Sequence, residues 1–98
     1  MSKGYVIGQL HVHNPEGYTA YSSQVQPTLV PFGGRFIVRG GETVVLDGQA
    51  SGPRNVVIEF PSVQAAQDWY RSEAYQAILQ SRLQNASGYV LVVAGYEG

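Results

Sequence analysis

A chain of 98 residues with a net charge of −1 and no cysteine reads as one domain spanning residues 1–98, without disulfides, a thiolate nucleophile or a cysteine-type zinc site. Its six basic residues are scattered, so the clustered Lys and Arg of a nucleic-acid or membrane-surface footprint are missing. No apolar run is long enough for a signal peptide or a membrane span, and the expected location is the cytoplasm.

Tyr5 to His13 alternates as a strand, with Tyr5, Ile7, Gln9, His11 and His13 on one side and Val6, Gly8, Leu10 and Val12 on the other. Asn14-Pro15 opens a helix, Asn as N-cap and Pro at the first helical position, where its missing N–H costs nothing. Tyr18, Tyr21, Val25 and Leu29 form its apolar stripe. Pro27 is expected to kink or restart this helix, and Gly33-Gly34 to end it. Arg35–Arg39 is the second strand. Gly40-Gly41 allows a bend or bulge, and Thr43–Leu46 is expected to continue in extended form. Asp47-Gly48 and Ser51-Gly52-Pro53 mark turns. Asn55–Phe60, rich in β-branched residues, is a central strand. Pro61-Ser62 leads into a short helix carrying Ala66, Trp69 and Tyr70. Ser72 caps a further helix with apolar positions Tyr75, Ile78, Leu79, Leu83 and Ala86. Asn85 and Gly88 offer a stop, and Tyr89–Ala94 is the last strand.

Two strand-helix-strand halves predict an α+β, ferredoxin-like βαββαβ antiparallel sheet with both helices on one face. Such a sheet should be polar on its uncovered face, yet these strands are apolar on both. A second copy is the simplest cover, because a two-fold axis makes one patch self-complementary. The expected assembly is therefore a homodimer with its sheets packed face to face.

One ordered set of residues carries a family likeness: Asn14-Pro15-Glu16, Tyr18 and Tyr21; Gly33-Gly34-Arg35-Phe36, Arg39-Gly40-Gly41 and Asp47-Gly48; Arg54, Ile58-Glu59-Phe60-Pro61-Ser62, Ala66, Trp69-Tyr70, Ser72, Tyr75 and Arg82. The pattern covers nearly the whole chain and resembles the DUF1330 family of small bacterial proteins, within the dimeric α/β-barrel superfamily. It departs from that family at Asn14, where Asp is usual, and at Asp47, where Glu is usual. The resemblance implies the dimeric barrel and names no activity, since the superfamily holds cofactor-free monooxygenases, lactone isomerases, haem enzymes and proteins of unknown role.

Arg82 is the leading site residue. Stepping 100° per residue from Tyr75 places it about 20° off the centre of the apolar stripe. An arginine there stays charged and must be paired if buried. It reads either as the anchor of a small anionic ligand in a helix–sheet cleft or as half of a structural salt bridge. Strand parity without a bulge puts Gln9, His11, Arg35, Arg39 and Glu59 on one face. That face reads as a polar cavity, with His11 as general base and Arg39 as anion holder, or as an interface where Arg39 and Glu59 pair. Parity does not say which face the helices cover. Glu59 meets Arg82 if they cover this face; otherwise Arg82 lies over Val56, Ile58 and Phe60 without a strand partner. His11 and His13 could hold a metal only with a third ligand, for which Glu59 is the one obvious choice; no metal and no cofactor are expected. Tyr18, Tyr21, Trp69, Tyr70 and Tyr75 either line a semi-polar pocket or simply pack the helices.

Two functional readings follow. One is a small-molecule-binding protein, acting without a cofactor on a small acidic or oxygenated organic compound, with Arg82, Glu59, Tyr18, Tyr75 and Trp69 as ligand residues and His11 and Arg39 as catalytic ones. The other is a non-catalytic dimeric binding or structural protein. They part at the buried charges: a site leaves one pointing at nothing from the protein, whereas a structural role pairs them all.

Overall fold

A computed structural model describes residues 2–97, so the first and last positions of the expected 1–98 domain lie outside the described residues. The elements follow in the order β1 (Gly4–Val12), α1 (Pro15–Leu29), β2 (Arg35–Arg39), β3 (Arg54–Phe60), α2 (Val63–Arg71), α3 (Glu73–Asn85) and β4 (Ala86–Ala94), with a 3₁₀ turn at Val30–Phe32 after α1. The strands form one antiparallel sheet in the order β2-β3-β1-β4, the ferredoxin-like arrangement.

Caps explain most of the boundaries. Asn14 accepts a bond from Gly17 N–H at the start of α1. The hydroxyls of Ser62 and Ser72 accept from Ala65 and Tyr75 N–H at the starts of α2 and α3. Gly33 leaves the 3₁₀ turn at φ +70°, a conformation costly for any residue with a Cβ. Pro27 does not restart α1, which runs through it to Leu29. Pro27 and Ser23, whose carbonyl loses its helical partner, both lie on the exposed side, where water serves instead. The helix α3 stops at Asn85, as expected. The strand takes over at Ala86, because Ala86, Ser87 and Gly88 pair with Val12, His11 and Leu10.

The segment expected to extend from Thr43 to Leu46 is irregular and pairs with no strand. Gly40 N–H closes the β2–β3 hairpin on the Asn55 carbonyl at 2.6 Å, and residues 41–53 form an excursion beyond that clasp. Side chains on the sheet hold it down. Gln9 accepts from Ser51 N–H at 2.7 Å, and the Asn55 amide donates to the Thr43 hydroxyl. Its tip leaves Val44 and Leu46 exposed.

The helices cover the face carrying Val6, Leu10, Ile58 and Phe60, which pack with Tyr18, Tyr21, Leu29, Trp69, Tyr75 and Leu79 into the core. The opposite face is bare and apolar at Tyr89, Leu91 and Val93. β2 does not hold a regular register. Phe36 faces Ile58, but Val38 faces Val57 and Arg39 faces Val56, so Ile37 is an extra residue. A one-residue bulge reverses the facing of everything after it. Arg39 is therefore on the helix side, not on the face it was expected to share with Gln9, His11, Arg35 and Glu59.

Candidate functional site

The bulge gathers three arginines in one cleft between α1, α3 and the sheet: Arg39 from β2, Arg54 from β3 and Arg82 from α3, with no Asp, Glu or His among the lining residues. Apolar walls come from Val6, Leu10, Val25, Phe36, Val56 and Ile58, and Trp69 closes the floor. The cleft is narrow. About 30 Å³ is open to water-sized molecules, room for roughly two waters.

Arg82 sits deepest, 7 % exposed, with its Nε buried and without a hydrogen-bond partner. Among the described residues the ion pairs are Lys3–Glu59 and Arg35–Glu59, and Arg82 makes none. Its charge lies beside Tyr21 and Tyr75, whose hydroxyls share a hydrogen bond of 2.7 Å. Burial is the main cause that pushes both phenols above the ordinary tyrosine value of 10.0. The Tyr21 hydrogen bond and the Arg82 charge pull Tyr75 back without cancelling the rise. Both are therefore neutral near pH 7 and not bases; one O–H is spent on the other hydroxyl, which leaves a single phenolic donor. The cleft offers positive charge and one phenolic O–H, a setting that stabilises an anion.

The other two arginines line the mouth. Arg39 donates through Nη2 to the Ser22 carbonyl at 2.9 Å and lies over the Phe36 ring at 4.3 Å. Arg54 donates through Nε to the Tyr18 hydroxyl at 3.1 Å, with its guanidinium 5.1 Å from the ring centre. Trp69 spends its N–H on the Thr28 hydroxyl at 2.9 Å, so it contributes a wall and no donor.

Of the residues named from sequence, Arg39, Arg82, Tyr18, Tyr75 and Trp69 come together here. Glu59 and His11 do not. Glu59 lies on the bare face, pairing with Tyr5 and Arg35 across the strands. There it accepts bonds from Lys3, Tyr5 and Arg35, and the Arg35 bond first among them holds its carboxyl below the usual range. His11 is exposed on that face, paired with Ser87 of β4. No group of three or more His, Cys, Asp or Glu among the described residues is placed to hold a metal. Arg54 is the residue that sequence reasoning left out of the site. It shares parity with Val56, Ile58 and Phe60, which marks it once the covered face is known.

A four-stranded antiparallel sheet in this order, backed on one face by helices over a cleft, defines an α+β protein of ferredoxin-like fold. The chain belongs to the DUF1330 family, described as a domain of unknown function, whose sequence profile it matches over residues 3–96. A protein of unknown function from Rhodopseudomonas palustris, RPA0582, has the same fold at a TM-score of 0.78 and 18 % identity, over 99 % of this chain and 85 % of that one. SnoaB, a cofactor-independent oxygenase from Streptomyces nogalater, superposes at 0.67 and 9 % identity, over 100 % and 97 %. HapK from Hahella chejuensis does so at 0.62 and 16 % identity, over 97 % and 94 %. These likenesses are of fold. No curated protein matches the sequence, and no helix among the described residues is long and apolar enough to cross a membrane.

Proposed function

We propose that the protein binds a small acidic or oxygenated organic compound in the cleft between its helices and its sheet. The observation that carries this reading is the buried, unpaired Nε of Arg82 in a cavity lined by arginines and no carboxylate. A charge buried without a counter-charge is costly and is kept where something else supplies one. On a compound whose anion is an enolate, the same guanidinium and the one free donor of the Tyr21–Tyr75 pair would stabilise the charged form without a cofactor. The cleft lining holds no base to generate that anion, so the substrate arrives ionised or gives its proton to water.

The bare sheet face supports a homodimer as the working form, with Tyr89, Leu91 and Val93 of its edge strand β4 in the contact. The small open volume of the cleft favours a second reading, a dimeric protein without catalysis. Calorimetric titration of small carboxylates into wild type and Arg82→Met separates the two. Binding to wild type that weakens at least tenfold in the variant supports the ligand site. Binding that is absent, or equal in both, refutes it.

A further inference from the structure

We infer that the cleft is built for a small organic dianion, with one carboxylate on Arg82 and the second held by Arg39 and Arg54 at the mouth; this rests on the anion-binding reading above. The three guanidinia fall into two groups. Arg82 is buried on α3, whereas Arg54 is half-buried and Arg39 exposed where the hairpin leaves the sheet. The two outer ones converge. They bond to Ser22 and Tyr18, which are four residues apart on α1 and so one turn above the other on the same face. Arg54 also reaches the residue that follows Arg39, since a Cβ on Gly40 would lie 2.9 Å from Arg54 Nη1.

Both charges sit at one mouth, and no acidic residue lines the cleft to offset them. The acceptors the structure gives them are neutral, a backbone carbonyl and a phenol. A carboxylate at the mouth adds the counter-charge that these neutral acceptors lack, in the bidentate geometry a guanidinium favours. Turning to the carboxylate also frees the mouth, since the bonds to those acceptors tie both side chains across it to α1. Between the two charged ends the walls are Phe36, Val56 and Ile58, and in so narrow a cleft the body joining the two carboxylates is a short hydrocarbon.

The test compares matched acids by titration calorimetry at fixed ionic strength: butanoate with butanedioate, and hexanoate with hexanedioate. A hydrogen bond to a charged group contributes about 1.5 kcal/mol or more, roughly tenfold in affinity. In at least one pair the diacid should bind wild type about tenfold more tightly. The double variant Arg39→Gln/Arg54→Gln should lose that preference, binding mono- and diacid alike, and Arg82→Met should weaken both. Equal binding of mono- and diacid that still needs Arg82 overturns the dianion and leaves the anion site standing. A preference that survives the double variant overturns the role of the mouth. No binding of any acid to wild type overturns both readings. The wild-type comparison holds even if a variant fails to fold.

Discussion

Replacing Arg82 by methionine should make the protein more stable. The buried Nε is a donor without a partner, a penalty of about 1–3 kcal/mol. Methionine has a similar length and volume, so repacking against Leu79 and Tyr75 should cost under about 1.5 kcal/mol. The Tyr21 and Tyr75 hydroxyls keep each other as partners, so the substitution orphans neither. The net gain expected is about 1 kcal/mol, which for a domain of this size is roughly 4–8 °C in Tm. Circular-dichroism melts in a low-salt amine buffer, with urea unfolding to check that the m-value is unchanged, measure it. Adding a bound diacid should then narrow or reverse the gap, because a ligand at 100 times its Kd adds about 2.7 kcal/mol to wild type and less to the weaker-binding variant. A variant several degrees less stable than wild type without ligand refutes the reasoning, since Arg82 would then be holding the fold together.

Three further outcomes are expected. Tyr21→Phe or Tyr75→Phe alone should cost about 1–2 kcal/mol by leaving one buried hydroxyl unpaired, and the double variant should cost less than the two added, as urea unfolding of all four proteins can measure. Folding holds both phenols protonated, so the folded state binds these protons more tightly than the unfolded chain. Stability is therefore complete below the ordinary value of 10.0 and falls above it; Tm followed from pH 8 to 11.5 should decline more steeply in wild type than in Tyr21→Phe/Tyr75→Phe, and equal slopes would contradict the assignment. Leu91→Glu puts a charge on the bare face, and light scattering should find it monomeric where wild type is a dimer; a monomeric wild type would remove the proposed assembly.

The architecture was legible because its signals are local and repeated. Alternation marked β1, Asn14-Pro15 and Ser72 marked helix starts, and the position of Arg82 in the Tyr75–Ile78–Leu79 stripe predicted its burial. The candidate site was legible only in part, because strand facing is a property of register. Phe36-Ile37-Val38 contains no glycine and no other residue that marks a bulge, yet the extra residue falls there and moves Arg39 to the other face. Glu59 and His11 kept their expected parity and so ended on the side away from Arg82. Which face the helices would choose was not readable, since both are apolar in sequence. Arg54 stands in the family pattern but is not assignable to the site for the same reason, as its parity means nothing until that choice is made.

The clasp between Gly40 N–H and the Asn55 carbonyl completes the β2–β3 hairpin before the intervening segment begins, which makes residues 41–53 an appendix rather than a link. Lengthening such an appendix is cheap, about 0.6 kcal/mol for each doubling. At its outer end Gly48 has nothing within 4 Å of where a side chain would start. A fluorescent protein or a peptide label grafted at Gly48 would hang clear of the sheet. Its two stems would still enter the fold one residue from Arg39 and one from Arg54. That makes the tip an insertion site for a reporter that sits beside the mouth of the cleft without occupying it.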